Sequence, residues 1–461
     1  MNRIQKILIL AFSTLFCSCV ANKGHVGLTV IPYGTMTDKI DLDIRAGIVN
    51  SGNKAALYDV DIRLIGNGLD TLLGKTRLSV EAGDHSLIKI KMPTAGLNGD
   101  YSLTLDVRTG GGPIIHDQQD IKIIPSDIRS DRTIDGAWCG LYHWSEQEGL
   151  MWNKDIKQMT EKQWKELVRA MHSIGMDGIV IQEVFRNEFY VGRHSLTVEN
   201  YAGKAFYPSK LYPGRMPIAT KDPVEAILSE ADQLGVNVLV GVGMFAWFDF
   251  TDESVKWHKC VARELWDMYG HHKSFYGFYI SEECDGSLTT YDANSYERTI
   301  ARKKEIVDFF KEMKAFCASF APEKPLMLAT NSMNIAHSED SYAKLLEHLD
   351  ILCPFGFARM PEGDLTGKEA ADKLQAFCDN AGAHLWFDLE AFLFNPDQSL
   401  YPKPAEQIIS ELRLFDNFEK VLCYQFPGVF NSPEMSRQIG EDRTLTLYKD
   451  YKHYYETERR Q

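Results

Sequence analysis

The chain has 461 residues, 44% of them hydrophobic and 25% charged, an ordinary globular composition with apolar material for more than one domain. Its formal net charge is −14 and its Lys and Arg residues form no cluster, which argues against nucleic acid and anionic membrane surfaces as partners.

Residues 1–19 read as a lipoprotein signal peptide. Arg3 and Lys6 make a positive start, and the apolar stretch 7–16 is too short to span a bilayer as a helix. Small Ser18 before Cys19 resembles a bacterial lipobox. Cleavage before Cys19 and acylation of its thiol are therefore expected, with a plain secretory signal as the alternative; Cys17 follows bulky Phe16 and fits less well. The resemblance implies a lipid-anchored protein of the bacterial cell envelope, at the outer membrane, facing the periplasm or the surface. The remaining cysteines, at 139, 260, 284, 317, 353, 378 and 423, are dispersed and show no CxxC, so buried free thiols are expected.

From residue 20 to about 126 the pattern is all-β. Residues 39–46, 58–64, 86–91 and 101–107 alternate apolar and polar side chains as half-buried strands do. Turn signals separate them, among them Gly66-Asn67-Gly68 and Asn98-Gly99-Asp100. Short strands at this spacing predict a β-sandwich of roughly seven strands. The segment Ile48-Val49-Asn50-Ser51-Gly52, followed by Ala55 and Val60, resembles immunoglobulin-like adhesion modules of bacterial surface proteins, which implies a spacer or stabilising role.

A polar linker, 125–135, leads into strand–helix alternation that holds to the end of the chain. Strands are predicted at 136–143, 178–184, 236–244, 275–283, 325–331, 349–355, 384–390 and 420–426. The clearest amphipathic helices are 160–174, 223–234, 252–269, 294–320 and 367–381. This α/β rhythm predicts a (β/α)8 TIM barrel over 127–461. A doubly wound sheet would carry a phosphate-binding glycine loop after its first strand, and Gly140-Leu141-Tyr142 offers none.

A TIM barrel builds its site at the C-terminal ends of its strands. The fourth strand ends Tyr279-Ile280-Ser281-Glu282-Glu283, and the seventh ends Trp386-Phe387-Asp388-Leu389-Glu390. Alternation puts Gly277, Tyr279, Ser281 and Glu283 on one face, and Trp386, Asp388 and Glu390 on one face of the other strand. Apolar Phe278, Ile280, Phe387 and Leu389 suit the helix-facing side, so Glu283 and Glu390 are expected to meet across the mouth. Two such carboxyls, one protonated and one ionised, are what glycoside hydrolysis uses.

The segments Gly277-Phe278-Tyr279-Ile280-Ser281-Glu282-Glu283 and Leu385-Trp386-Phe387-Asp388-Leu389-Glu390-Ala391-Phe392 resemble retaining glycosidases with catalytic glutamates on strands four and seven. They look more closely like a glycosidase-like TIM-barrel family of Gram-negative lipoproteins. The resemblance implies Glu283 as acid/base and Glu390 as nucleophile. The chain departs from the larger group at Glu282, where asparagine usually binds the sugar 2-hydroxyl, and Glu282 stands as a rival acid and substrate contact.

Other strand ends supply aromatic and polar groups of the kind that hold a sugar: His143, Trp144, Gln182, Glu183, Trp247, Asn331, Tyr424 and Gln425, beside Asp388. Tyr190 and Arg193, in the long connection 186–220, are expected to shape substrate access. His271-His272 lacks HExxH or comparable ligand spacing, so no catalytic metal is expected; the G-x-S-x-G elbow of a Ser–His–Asp hydrolase is also absent, and no cofactor is expected. The sequence thus predicts a glycoside hydrolase acting on a carbohydrate outside the cytoplasm. The alternative is a non-catalytic glycan-binding lipoprotein that keeps the barrel as a scaffold.

Overall fold

The computed structural model describes residues 24–110, 112–187, 195–289 and 294–458. Cys17, Cys19, Tyr190 and Arg193 lie outside the described residues.

The N-terminal part is two β-sheets packed on a common apolar core. One sheet joins His25–Ile31, Leu42–Val49 and His85–Met92. The other orders Gly34–Thr37, Ile115–Ile124, Gly99–Thr109, Ala56–Gly66 and Leu69–Val80. These are eight strands, where the turn spacing predicted about seven. The alternating segment around residue 40 also differs from expectation. Its strand begins at Leu42 after a turn, and it is buried on both faces instead of one. Its apolar residues enter the sandwich core, while Asp43 and Arg45 are buried against the base of the second part.

That second part is a closed barrel of eight parallel strands: Gly136–Cys139, Gly178–Ile181, Asn237–Gly241, Phe275–Cys284, Leu326–Thr330, Ile351–Leu352, His384–Glu390 and Lys420–Tyr424. The eighth strand pairs with the first and closes the ring. Helices form where the sequence signals them. Thr160 and Thr366 make capping boxes with Gln163 and Glu369, and Asp222 caps a helix whose first residue is Pro223. Gly235 and Gly382 end two helices at φ of 72° and 69°, a left-handed conformation that glycine adopts without strain.

Outward strand residues such as Phe278, Ile280, Phe387 and Leu389 pack with the helices in the large core. Inward residues form a separate layer that includes Trp138, Tyr276, Tyr279, Met327, Trp386 and Leu422. The sandwich completes that layer from below. Tyr33 stands edge-on to Tyr276 and Trp386 at ring distances of 5.3 and 5.5 Å. It fills space above Gly178 that a larger residue there would occupy.

Around this plug the sandwich–barrel interface is charged and buried. Arg45 bridges Asp43 and Asp350, at 2.7 Å to the latter, and Lys420 pairs with Asp135 at 2.7 Å. His384 lies 2.6 Å from Glu419 and 3.6 Å from Asp43. Burial works against its charge, but Glu419 and Asp43 outweigh it and hold the imidazolium up to about 9. Because the folded value is raised, the stabilisation is complete below the unfolded imidazole value of about 6.5 and is lost as pH rises through about 9. Urea unfolding across that window is expected to show falling stability. His384→Gln should remove this component, and an unchanged profile in the variant would assign the pH dependence elsewhere.

Candidate active site

The C-terminal ends of the strands open onto a cavity of about 270 Å³. Glu283 and Glu390 both line it, as their alternation predicted, together with Asp388 between strand core and rim. Its floor is the upper side of the inner layer: Trp138, Tyr279 and Ala329 belong to both. Desolvation from that floor and from the surrounding aromatic walls dominates the electrostatics.

Burial pushes Glu283 up to about 7. Trp247 Nε1 donates to its Oε2 at 2.9 Å and, with Arg359, opposes the rise, while Asp285 and Glu148 add to it. After burial, these four are its strongest influences. Glu390 is gripped instead by Arg359, whose Nε donates to both carboxylate oxygens at 2.8 and 3.0 Å. Asp388 is driven well above the usual carboxylate range, first by burial and then by the charges of Glu390 and Glu283, against the opposing pull of Arg359. The cavity therefore contains carboxyls in different settings: Glu283 and Asp388 are raised by burial, while Glu390 is paired with a guanidinium.

The adjacent acids Glu282 and Glu283 separate by alternation. Glu282 is fully buried on the far side of the strand and accepts from the backbone N–H groups of Phe245 and Ala246 at 2.6 and 3.3 Å. Burial, with Asp249 nearby, raises it to about 8. It pins the loop after the third strand, and that loop carries Trp247 to Glu283. Glu282 is not among the cavity's lining residues, which corrects the expectation that it contacts substrate.

Of the other expected contacts, Trp144, Gln182, Trp247, Asp388 and Tyr424 line the cavity. Trp144 and Trp247 stand 5.7 Å apart, and Tyr424 donates to Gln182 Oε1 at 3.1 Å. His143, Glu183, Asn331 and Gln425 sit behind the wall. His143 is buried between Glu148, at 3.0 Å, and Tyr424, at 3.4 Å; burial lowers its pKa. Glu183 is paired with Arg186, which also donates to the carbonyl of His143. Asn331 accepts from the backbone of Gly286 and Met333, and Gln425 is buried against Gly140. Asn331 thereby ties down the chain after the fourth and fifth strands, because backbone leaving a strand needs polar partners as it turns.

Sequence reasoning missed Arg359, Glu148, Phe355, Phe392 and Phe394, all of which line the cavity. Arg359 sits in a short helical turn, Phe357–Arg359, beyond the sixth strand. The aromatic pair comes from a hairpin of Phe392–Phe394 with Leu400–Pro402. Neither segment has a periodicity that marks it, although Phe392-Leu393-Phe394, directly after Glu390-Ala391, is a usable hint.

Residues 134–437 match the family model described as Domain of unknown function (DUF4434). The chain belongs to the DUF4434 family. No curated protein matches it. Among solved structures, a Bacteroides thetaiotaomicron protein named as a candidate α-L-fucosidase is 18% identical, covers 72% of this chain and 98% of its own, and superposes with a TM-score of 0.49. A Bacteroides uniformis β-glucuronidase is 12% identical over 93% of this chain, which spans 50% of that enzyme's length, with a TM-score of 0.42. A Bacteroides ovatus xyloglucanase is 12% identical over 93% of this chain and 100% of its own, with a TM-score of 0.34.

In this DUF4434 barrel the Trp247 hydrogen bond favours the ionised form of Glu283. Trp247→Phe removes the donor and should move the Glu283 titration upward from about 7 in carboxyl-resolved NMR. A downward or absent shift would deny the indole its place on that carboxyl.

Proposed function

We propose that the protein is a glycoside hydrolase acting with retention on an extracytoplasmic glycan or glycoside. The observation that carries this reading is the pairing, in one cavity, of a Glu283 raised to about 7 with a Glu390 held by Arg359. Protonated Glu283 donates to the glycosidic oxygen as the bond to the anomeric carbon breaks, and a Glu390 oxygen attacks that carbon to give a glycosyl ester. Glu283, now ionised, takes a proton from water, whose oxygen releases the sugar and restores Glu390. Arg359 orients the nucleophile and gives up one oxygen as the ester forms. Trp144, Trp247, Phe392 and Phe394 offer rings to the apolar faces of sugars. Tyr424, Gln182 and Asp388 offer hydrogen bonds to hydroxyls.

The second reading is a glycan-binding protein without turnover. It is favoured by the two-oxygen grip of Arg359 on Glu390, which occupies the nucleophile. Reducing-sugar release on glycan panels separates the two. Hydrolysis is expected, with the alkaline limb of kcat/KM near pH 7, where Glu283 loses its proton. Glu283→Gln and Glu390→Gln should each lower turnover by roughly a hundredfold or more while preserving the fold. The anomer formed first, read by NMR, should be retained. Binding without release supports the second reading, and an inverted product removes the covalent step.

Lipidation at Cys19 belongs to the same proposal, with the sandwich as an immunoglobulin-like module that carries the barrel above the membrane. A Cys19→Ala protein should leave the membrane fraction with unchanged thermal unfolding. If it stays with the membrane, another surface holds it there.

A further inference from the structure

His271 and His272 play no part in the cavity. They follow the helix Asp252–Tyr269 and precede the fourth barrel strand, on the side away from the strand's catalytic end. Glu225, from the first turn of the helix Pro223–Leu234, lies against them. One potential ligand atom from each of Glu225, His271 and His272 falls within 4.8 Å of the others.

We infer that these three side chains bind a divalent transition-metal ion of the zinc class. The case rests on how His272 is held. Its ring is buried, with Nδ1 2.7 Å from Asp232 Oδ2 and Nε2 3.1 Å from Glu225 Oε2. The other Asp232 oxygen accepts from the Ser274 backbone N–H at 2.8 Å, which fixes that carboxylate. A carboxylate that takes the Nδ1 proton leaves the Nε2 lone pair for a metal and sets the ring's direction; metal-bound histidines carry this support as a rule. Here Nε2 is directed at a second carboxylate, with a second imidazole 4.2 Å away, ring to ring. The side chains of Glu225 and His271 reach solvent, which leaves them room to rotate onto an ion, while His272 is held by Asp232.

The donor set selects the ion. Two imidazoles and one carboxylate suit zinc and its neighbours, with water completing a tetrahedron, whereas magnesium and calcium prefer all-oxygen sites. The ion would clamp the helix Pro223–Leu234 to the loop that starts the strand bearing Glu283, so its role is structural and separate from turnover.

The full chain in chelator-free buffer is titrated calorimetrically with zinc chloride. One ion per chain is expected, with a thermal midpoint that rises on zinc and returns with EDTA. His271→Ala and Asp232→Asn should each weaken binding by about 10-fold to 100-fold, and His453→Ala, at an exposed position on the last helix, should leave it unchanged. Cobalt(II) should give the visible absorption of a tetrahedral site in the parent and lose it in Glu225→Gln. Both exposed-residue variants, His271→Ala and Glu225→Gln, are expected to keep the parent fold, so loss of binding is not a folding artefact. No saturable zinc uptake, uptake indifferent to His271→Ala and Glu225→Gln, or displacement by equimolar magnesium would each overturn the site and leave His272 a simple ion-pair residue.

Discussion

Closing eight parallel strands into a ring leaves an interior that side chains must fill, and here aromatic side chains fill it. Trp138 meets Tyr279 edge-on at 5.8 Å, and Tyr276 stacks over Trp386 at 6.2 Å. Water has no place in such a layer. The same packing that closes the barrel is thus the dry floor of the cavity, and it desolvates the carboxyls standing on it. Glu283 and Asp388 owe their raised pKa values first to burial, ahead of any single neighbouring charge. Stability and site chemistry come from one set of contacts.

The walls then give each carboxyl a different partner. Arg359 compensates Glu390, and Trp247 gives Glu283 one donor without a full counter-charge. The difference in partner gives the two glutamates distinct surroundings inside one cavity. Glu282 contributes indirectly. Successive residues on a strand point to opposite faces, so the acid next to Glu283 ends up behind the wall, holding the loop that carries Trp247.

The sandwich is more than an appendage. Its Tyr33 completes the inner layer, and the hydroxyl of Tyr276 donates to the carbonyl of Val30 at 2.8 Å. Gly27 and Gly47 leave the space in which buried Glu323 pairs with His25. Removing one partner of a buried pair strands the other without water, so such networks fix a unique docking even where their net contribution to stability is small. The barrel base is built from two sequence-distant parts that depend on each other.

Much of this was readable along the chain. Strand–helix alternation marked all eight barrel strands, because strands buried on both faces need continuous apolar runs and their helices need caps. Period-two alternation aimed Glu283, Asp388 and Glu390 into the mouth and Phe278 and Leu389 outward, since that geometry is local to each strand. What alternation does not contain is the identity of a neighbour across space. Asp43 and Arg45 read as a solvated strand face, yet a second domain buries them. Glu282 read as a rival acid until a loop from the adjacent strand took it, and Arg359 had no mark at all before the sixth strand brought it to Glu390. His271 and His272 carried no ligand spacing, because Glu225 and Asp232 reach them from another helix. The sequence by itself determined the elements and the direction of their side chains, which depend on residues a few positions apart. The tertiary structure alone decided which charges are paired and which are dry, because those depend on atoms brought together from distant parts of the chain.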